Sequence, residues 1–231
     1  MTKETAFGND LLVARDSGKS QLSRRKFLGF AGAASGIVLL AACSKDDDNN
    51  DGVNLGSGDT GILNYAYALE QLEAAFYIQV LATPYSGITA AESTHLRDIR
   101  DHEIAHREFF KNALGSSAIQ GLVPNFAAIN FSSRESVLGT AKAFEDLGVS
   151  AYNGAGKLFD NADYLVLAGK IVSVEARHAA LIRDLISNGT FANSEVIDVN
   201  GLDKSRTPSE VLAIAGTYIT TKLNASNLPT S

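Results

Sequence analysis

Asp101-His-Glu-Ile-Ala-His106 lies inside a long amphipathic run that extends from about Thr89 to Leu114. Glu103 and His106 are three residues apart. On a helix of about 3.6 residues per turn, positions i and i+3 share a face, so the carboxylate and the imidazole can reach one ion. The arrangement returns 72 residues later as Val174-Glu-Ala-Arg-His178, again within an amphipathic run. A single Glu-x-x-His is a weak signal, because helices are rich in Glu. Two of them, each followed by apolar helix (Phe109-Phe110 and Leu181-Ile182), form a constellation.

Around these two motifs the chain reads as helices. Thr60 to Leu81 is apolar at helical spacing through Leu63, Tyr67, Leu69, Leu72, Phe76 and Val80, and Thr83-Pro84 ends it. The second helix, Thr89 to Leu114, is stopped by Gly115. A Gly- and Pro-containing connection leads to Ser132-Ser-Arg-Glu135, which reads as a capping box opening a third helix that continues to about Gly154. The fourth spans about Ala162 to Asn188, with Gly189 as its C-terminal cap. Thr207-Pro-Ser-Glu210 starts a shorter fifth helix, with Pro at its first position and Glu at its third. Short links within helices 1–2 and 3–4 predict two antiparallel hairpins. The link between the hairpins, residues 115–132, reaches up to ~60 Å when extended. A helix of this length is about 36 Å long, so the link can cross the whole bundle.

The hairpins repeat each other. Glu70 is followed seven residues on by Tyr77 and then by Glu103-x-x-His106; Glu145 is followed seven residues on by Tyr152 and then by Glu175-x-x-His178. One Glu from each of two helices and one Glu-x-x-His from each of the other two is a composition that resembles the ferritin-like di-metal carboxylate proteins. Leu63-Asn64 ahead of Glu70 also resembles the first-helix motif of bacterioferritins and ferritins. Leu69-Glu-Gln-Leu-Glu-Ala-Ala-Phe-Tyr77 is similar to the bacterial ferritin-like domain group that includes desiccation-related proteins. The resemblance covers about residues 60–190. It implies an all-α, up-down four-helix bundle with one long crossover from helix 2 to helix 3, followed by a C-terminal extension, residues 191–231, that carries the fifth helix. It also implies six metal ligands, Glu70, Glu103, His106, Glu145, Glu175 and His178.

The donor chemistry agrees with that resemblance. Four carboxylates in one bundle core repel each other and are costly to desolvate. Two divalent cations cancel their charge, and two imidazoles complete the sites. Carboxylate and imidazole donors suit Fe or Mn, and the lack of thiolates argues against structural zinc. Glu73 stands one turn from Glu70 and remains an alternative first-helix ligand; the seven-residue spacing to Tyr77 favours Glu70. Tyr77 and Tyr152 read as core residues with hydrogen-bonded hydroxyls, on the faces of Glu70 and Glu145. His102 lies one turn before His106, but only His106 has Glu three residues earlier. Ligating histidines need an outer-shell partner, and the sequence does not name it.

The N-terminal segment reads as an address. Ser23-Arg-Arg-Lys-Phe-Leu28, an apolar run from Gly29 to Leu40 and then Ala41-Ala42-Cys43 have the layout of a signal peptide. The Arg pair resembles a twin-arginine export signal and Leu40-Ala-Ala-Cys43 resembles a bacterial lipobox, which implies lipidation of Cys43, the single cysteine. Residues 44–59, rich in Asp, Asn and Gly, read as a flexible acidic tether. Residues 1–43 hold six Lys/Arg and three Asp/Glu, which leaves 14 against 23, a formal −9, for the remainder. Such a body argues against nucleic acid as a partner. The membrane is expected to be met through the lipid alone, at the periplasmic or surface face of a bacterial envelope. Two functions follow from the resemblance. One is oxygen- or peroxide-dependent redox or ferroxidase chemistry in envelope stress protection. The other is a non-enzymatic, metal-stabilised protective module. A lipid anchor and tether do not suit a closed storage shell, and a smaller homo-oligomer stays open.

Overall fold

The computed structural model describes residues 52–230. The expected signal segment, Cys43 and the tether up to Asp51 lie outside them. Five helices carry the architecture: α1 (Gly58–Ala82), α2 (Ala90–Leu114), α3 (Arg134–Ala155), α4 (Ala162–Ile186) and α5 (Pro208–Ala215). Two-residue strands β1 (Val53–Asn54) and β2 (Leu223–Asn224) pair in parallel. α1 packs on α2, α3 packs on α4, and α1 meets α3 between them. The chain is therefore an all-α bundle of two helical hairpins with its crossover between α2 and α3, the arrangement that the resemblance implies.

The buried stripes explain how each helix is seated. In α4 the buried positions Ala168, Ile171, Glu175, His178 and Ile182 recur every three or four residues, so the Glu-x-x-His occupies two steps of the core stripe itself. α2 buries Leu96, Ile99, Glu103, Phe110 and Leu114, with half-buried His106 at the step between Glu103 and Phe110. α1 is buried on nearly all sides, because hairpin partner, opposite hairpin, crossover and C-terminal extension all cover it. Asn64 on α1 ties these layers together. Its amide donates to Leu55 O at 3.1 Å and Ser117 O at 2.9 Å, and its carbonyl accepts from Ile119 N at 3.0 Å. Further along, Phe126 and Phe131 of the crossover pack against Phe76, which also meets Phe144 edge-on at 5.1 Å.

Local signals hold with several shifts. Thr207 and Glu210 form the expected capping box with Pro208 in the first turn, and Gly115, at φ 56°, ends α2. The expected box at Ser132 and Glu135 does not form; Ser133 caps α3 by accepting from Ser136 N. The reciprocal box sits instead on α2, between Thr89 and Glu92. α4 ends at Ile186 and is capped by Ser187, two residues before Gly189. α3 ends at Ala155, next to the expected Gly154. A Cβ on Gly154 would stand 1.7 Å from Arg206 O, so glycine lets the extension cross the helix at that point. The tether reading of residues 44–59 fails from Gly52 on. Val53 N donates to Lys222 O, Leu55 N to Asn224 O, Leu55 is fully buried, and α1 already begins at Gly58.

Asn64→Ala removes three hydrogen bonds and leaves buried backbone groups unpaired. It is expected to cost about 2–4 kcal/mol, read as a lower denaturation midpoint at unchanged m-value.

Candidate metal centre

Glu70 comes from α1, Glu103 and His106 from α2, Glu145 from α3, and Glu175 and His178 from α4. All six side chains converge at one level of the bundle. His106 Nδ1 lies 2.7 Å from Glu175 Oε1, 3.4 Å from Glu70 Oε2 and 3.9 Å from Glu103 Oε2. His178 Nδ1 lies 2.9 Å from Glu103 Oε1, 3.3 Å from Glu175 Oε2 and 3.4 Å from Glu145 Oε2. These contacts define two overlapping groups, Glu70/Glu103/His106/Glu175 and Glu103/Glu145/Glu175/His178. In each, one donor atom per residue lies within 4.8 Å of all the others. Glu103 and Glu175 belong to both. Two carboxylates shared between two positions, with one further Glu and one His at each, match the donor set of a di-metal carboxylate site.

Glu73, the rival of Glu70, falls outside both groups although it is buried nearby. The tyrosines are bonded across the bundle. Tyr77 donates to Glu145 at 2.5 Å, and Tyr152 donates to Glu70. Each hydroxyl thus orients the single Glu of the opposite hairpin, a reciprocity that spacing along one helix does not reveal. The outer-shell partner absent from the sequence reading is His102. Its Nδ1 lies 2.9 Å from His178 Nε2 with the rings stacked. With His178 Nδ1 turned to the carboxylates, its Nε2–H donates and His102 accepts. Burial and the neighbouring His178 and His106 lower the His102 pKa, which keeps that acceptor neutral. The corresponding place in the second half is Val174, so His106 has no equivalent imidazole behind it.

Electrostatics shows how so many acids share a core. Burial pushes Glu103 well above the usual carboxyl range, and Glu175 adds to that; burial likewise raises Glu145. Burial also acts to raise Glu175, but its close ion-pair contacts with His106 and His178 win and hold it low. Burial opposes charge on the two imidazoles as well, yet the surrounding carboxylates raise His106 to about 10 and His178 to about 12. Without a metal, protons on the two histidines supply the cations of the site. Many of the oxygens, Glu103 Oε1 and Oε2 and Glu175 Oε1 and Oε2 among them, still lack a well-aligned hydrogen bond. Buried acceptors left open and facing one another fit a pair of cations.

The sequence profile described as a ferritin-like domain matches residues 58–188, from the first residue of α1 to just beyond α4. The chain belongs to the ferritin-like domain family. Comparison with curated proteins returns no match. The ferritin-like domain therefore spans the whole four-helix bundle and contains both four-residue groups.

Raised histidine pKa values stabilise the metal-free fold below their ordinary value near 6.5, and that contribution is lost as pH climbs through about 10 and about 12. At neutral pH a cation must therefore displace both protons. Filling both positions at about pH 7 is expected to release at least two protons, with affinity rising as pH rises. Calorimetry in buffers of different ionisation enthalpy measures this; proton-neutral binding would contradict the assignment.

Proposed function

We propose that the ferritin-like domain holds two divalent ions, Fe or Mn, and uses them in redox chemistry on dioxygen or peroxide. The observation that carries this reading is the pair of overlapping groups joined through Glu103 and Glu175. Glu103 and Glu175 would bridge, with Glu70 and His106 completing one position and Glu145 and His178 the other. Oxygen and nitrogen donors without sulfur favour Fe or Mn over zinc. A bound pair of such ions supplies two electrons to an oxygen species.

The chain's own residues prepare that chemistry. Glu70, Glu103 and Glu145 are wholly buried, which strengthens every charge interaction in the site and excludes bulk water. Tyr77 and Tyr152 fix the rotamers of Glu145 and Glu70, and their own hydroxyl pKa values are raised by burial and by those carboxylates, so they stay protonated donors. His102 fixes the ring of His178. His106 retains 13 % of its side-chain exposure, the highest of the six, and marks the side on which the site lies nearest to solvent.

The proposal includes the address read from Arg24-Arg25 and Leu40-Ala-Ala-Cys43: export and lipid anchoring to a bacterial envelope, where peroxide protection would act. Twin-arginine export carries folded, cofactor-loaded cargo, which suits a site assembled within a bundle.

Elemental analysis of the natively purified chain is expected to find about two Fe or Mn ions. Glu103→Ala, which removes a carboxylate common to both groups, is expected to empty both positions, whereas Glu145→Ala loses about half of the metal. His106→Ala and His178→Ala are each expected to abolish peroxide turnover while preserving helicity. A stable wild-type chain with no metal would refute the reading. Two ions and a raised melting temperature without turnover would move the assignment to a metal-stabilised protective module.

A further inference from the structure

The match to the ferritin-like domain ends at residue 188, and the extension beyond it builds a cleft of its own. Apolar residues seat the extension on the bundle. Val211 and Ala215 of α5 are fully buried in the main core. Leu228 packs where Gly61 leaves room, since a Cβ on that glycine would stand 2.9 Å from Leu228 Cδ2. Between α5 and residues 225–230 an opening of about 690 Å³ remains. That lies within the range of about 300–1,000 Å³ usual for small-ligand sites.

The lining has a narrow chemistry. Leu212, Ile219, Leu223, Leu228 and Pro229 supply aliphatic carbon. Among the described residues no aromatic ring lines the cleft, and Lys222 is the single charged residue that does. This ammonium stands out in a chain whose residues beyond Cys43 carry a formal −9. Its position is fixed by the segment that enters the bundle beside it. A Cβ on Gly52 would stand 2.9 Å from Lys222 Cγ, and Val53 N donates to Lys222 O at 2.8 Å. Thr207 and Thr221 also line the cleft but are engaged elsewhere, in the α5 capping box and in accepting from Val123 N at 2.9 Å.

These features select a ligand. Aliphatic walls reward a hydrocarbon chain in proportion to the area it buries, and they offer no face for a ring to stack on. One ammonium suits one negative charge and gives a monocarboxylate a charge-assisted hydrogen bond. A nucleotide or a dianionic phosphate would find one cation where it needs several.

We propose that the cleft of the C-terminal extension binds a single-chain fatty acid, with its hydrocarbon along Leu212, Ile219, Leu223 and Leu228 and its carboxylate at Lys222. None of the six residues of the metal centre lines this cleft, so the assignment does not depend on the ions.

The test is calorimetric titration of the full chain with dissolved octanoate, decanoate and dodecanoate, each below its micellar concentration. One molecule is expected to bind per chain, with affinity rising about fourfold for each added methylene that the cleft can bury. Decanol, which has the chain without the charge, is expected to bind more weakly than decanoate. Lys222→Glu is expected to weaken decanoate about tenfold and to leave decanol unchanged, because only the charge contact is reversed. Leu212→Trp fills the cleft and is expected to abolish binding of both at an unchanged melting temperature. If that variant does not fold, Lys222→Glu decides the matter, since the lysine side chain is exposed. Decanoate bound undiminished in either folded variant would place it elsewhere on the chain and overturn the assignment. So would an affinity indifferent to chain length, or no saturable binding at all. Capture of the chain by phosphatidylglycerol vesicles without binding of dissolved decanoate would overturn it too, and would mark this edge as a membrane contact instead.

Discussion

Mutual repulsion among buried carboxylates is the constraint on which this bundle depends. Glu70, Glu103, Glu145 and Glu175 meet at one level of a core that water does not enter, and each would be unstable there alone. Charge of the opposite sign must be supplied from within, by protons on His106 and His178 or by cations. The surrounding structure serves that requirement. Two tyrosines hold the outer glutamates, an imidazole holds one of the histidines, and apolar stripes along α2 and α4 carry the shared glutamates into the interior.

Much of this was legible because a helix converts spacing into direction. The Glu-x-x-His motifs coincide with the core stripes of α2 and α4, so periodicity alone aimed them inward. The repeat of Glu and Tyr at seven residues marked the two remaining acids. What periodicity omits is register between helices. Nothing along α1 tells that Tyr77 serves Glu145 rather than its own helix's Glu70, and nothing along α2 tells that His102 lies behind His178. Gly154 shows the same limit of a reading confined to one helix. A glycine near the end of a helical pattern signals a stop, but here it admits a distant segment at Arg206. The paired segment at Val53 was hidden because its partner is 170 residues away and only two residues of each strand engage.

The two hairpins follow one plan, and their departures from it make the halves unequal. His102 answers to Val174 and Glu73 answers to Gly148. One stands behind a histidine of the centre, and the other lies between the helices that supply the single glutamates. A centre built from equivalent halves would treat its two positions alike. Here the group around His178 has a braced histidine and the group around His106 lies nearer to solvent, so the two donor groups differ in rigidity and access.

The docking of Val53 and Leu55 against the C-terminal extension has a consequence for geometry on the scale of a cell surface. With lipid on Cys43, as proposed, the chain available as a leash would be at most residues 44–51, not the whole acidic segment. Eight residues reach about 28 Å at full stretch. α1 alone is about 38 Å long. Under that leash the bundle could not range outward by even its own length. It would ride close against the bilayer, presenting the edge that bears β1 and β2 to the headgroups.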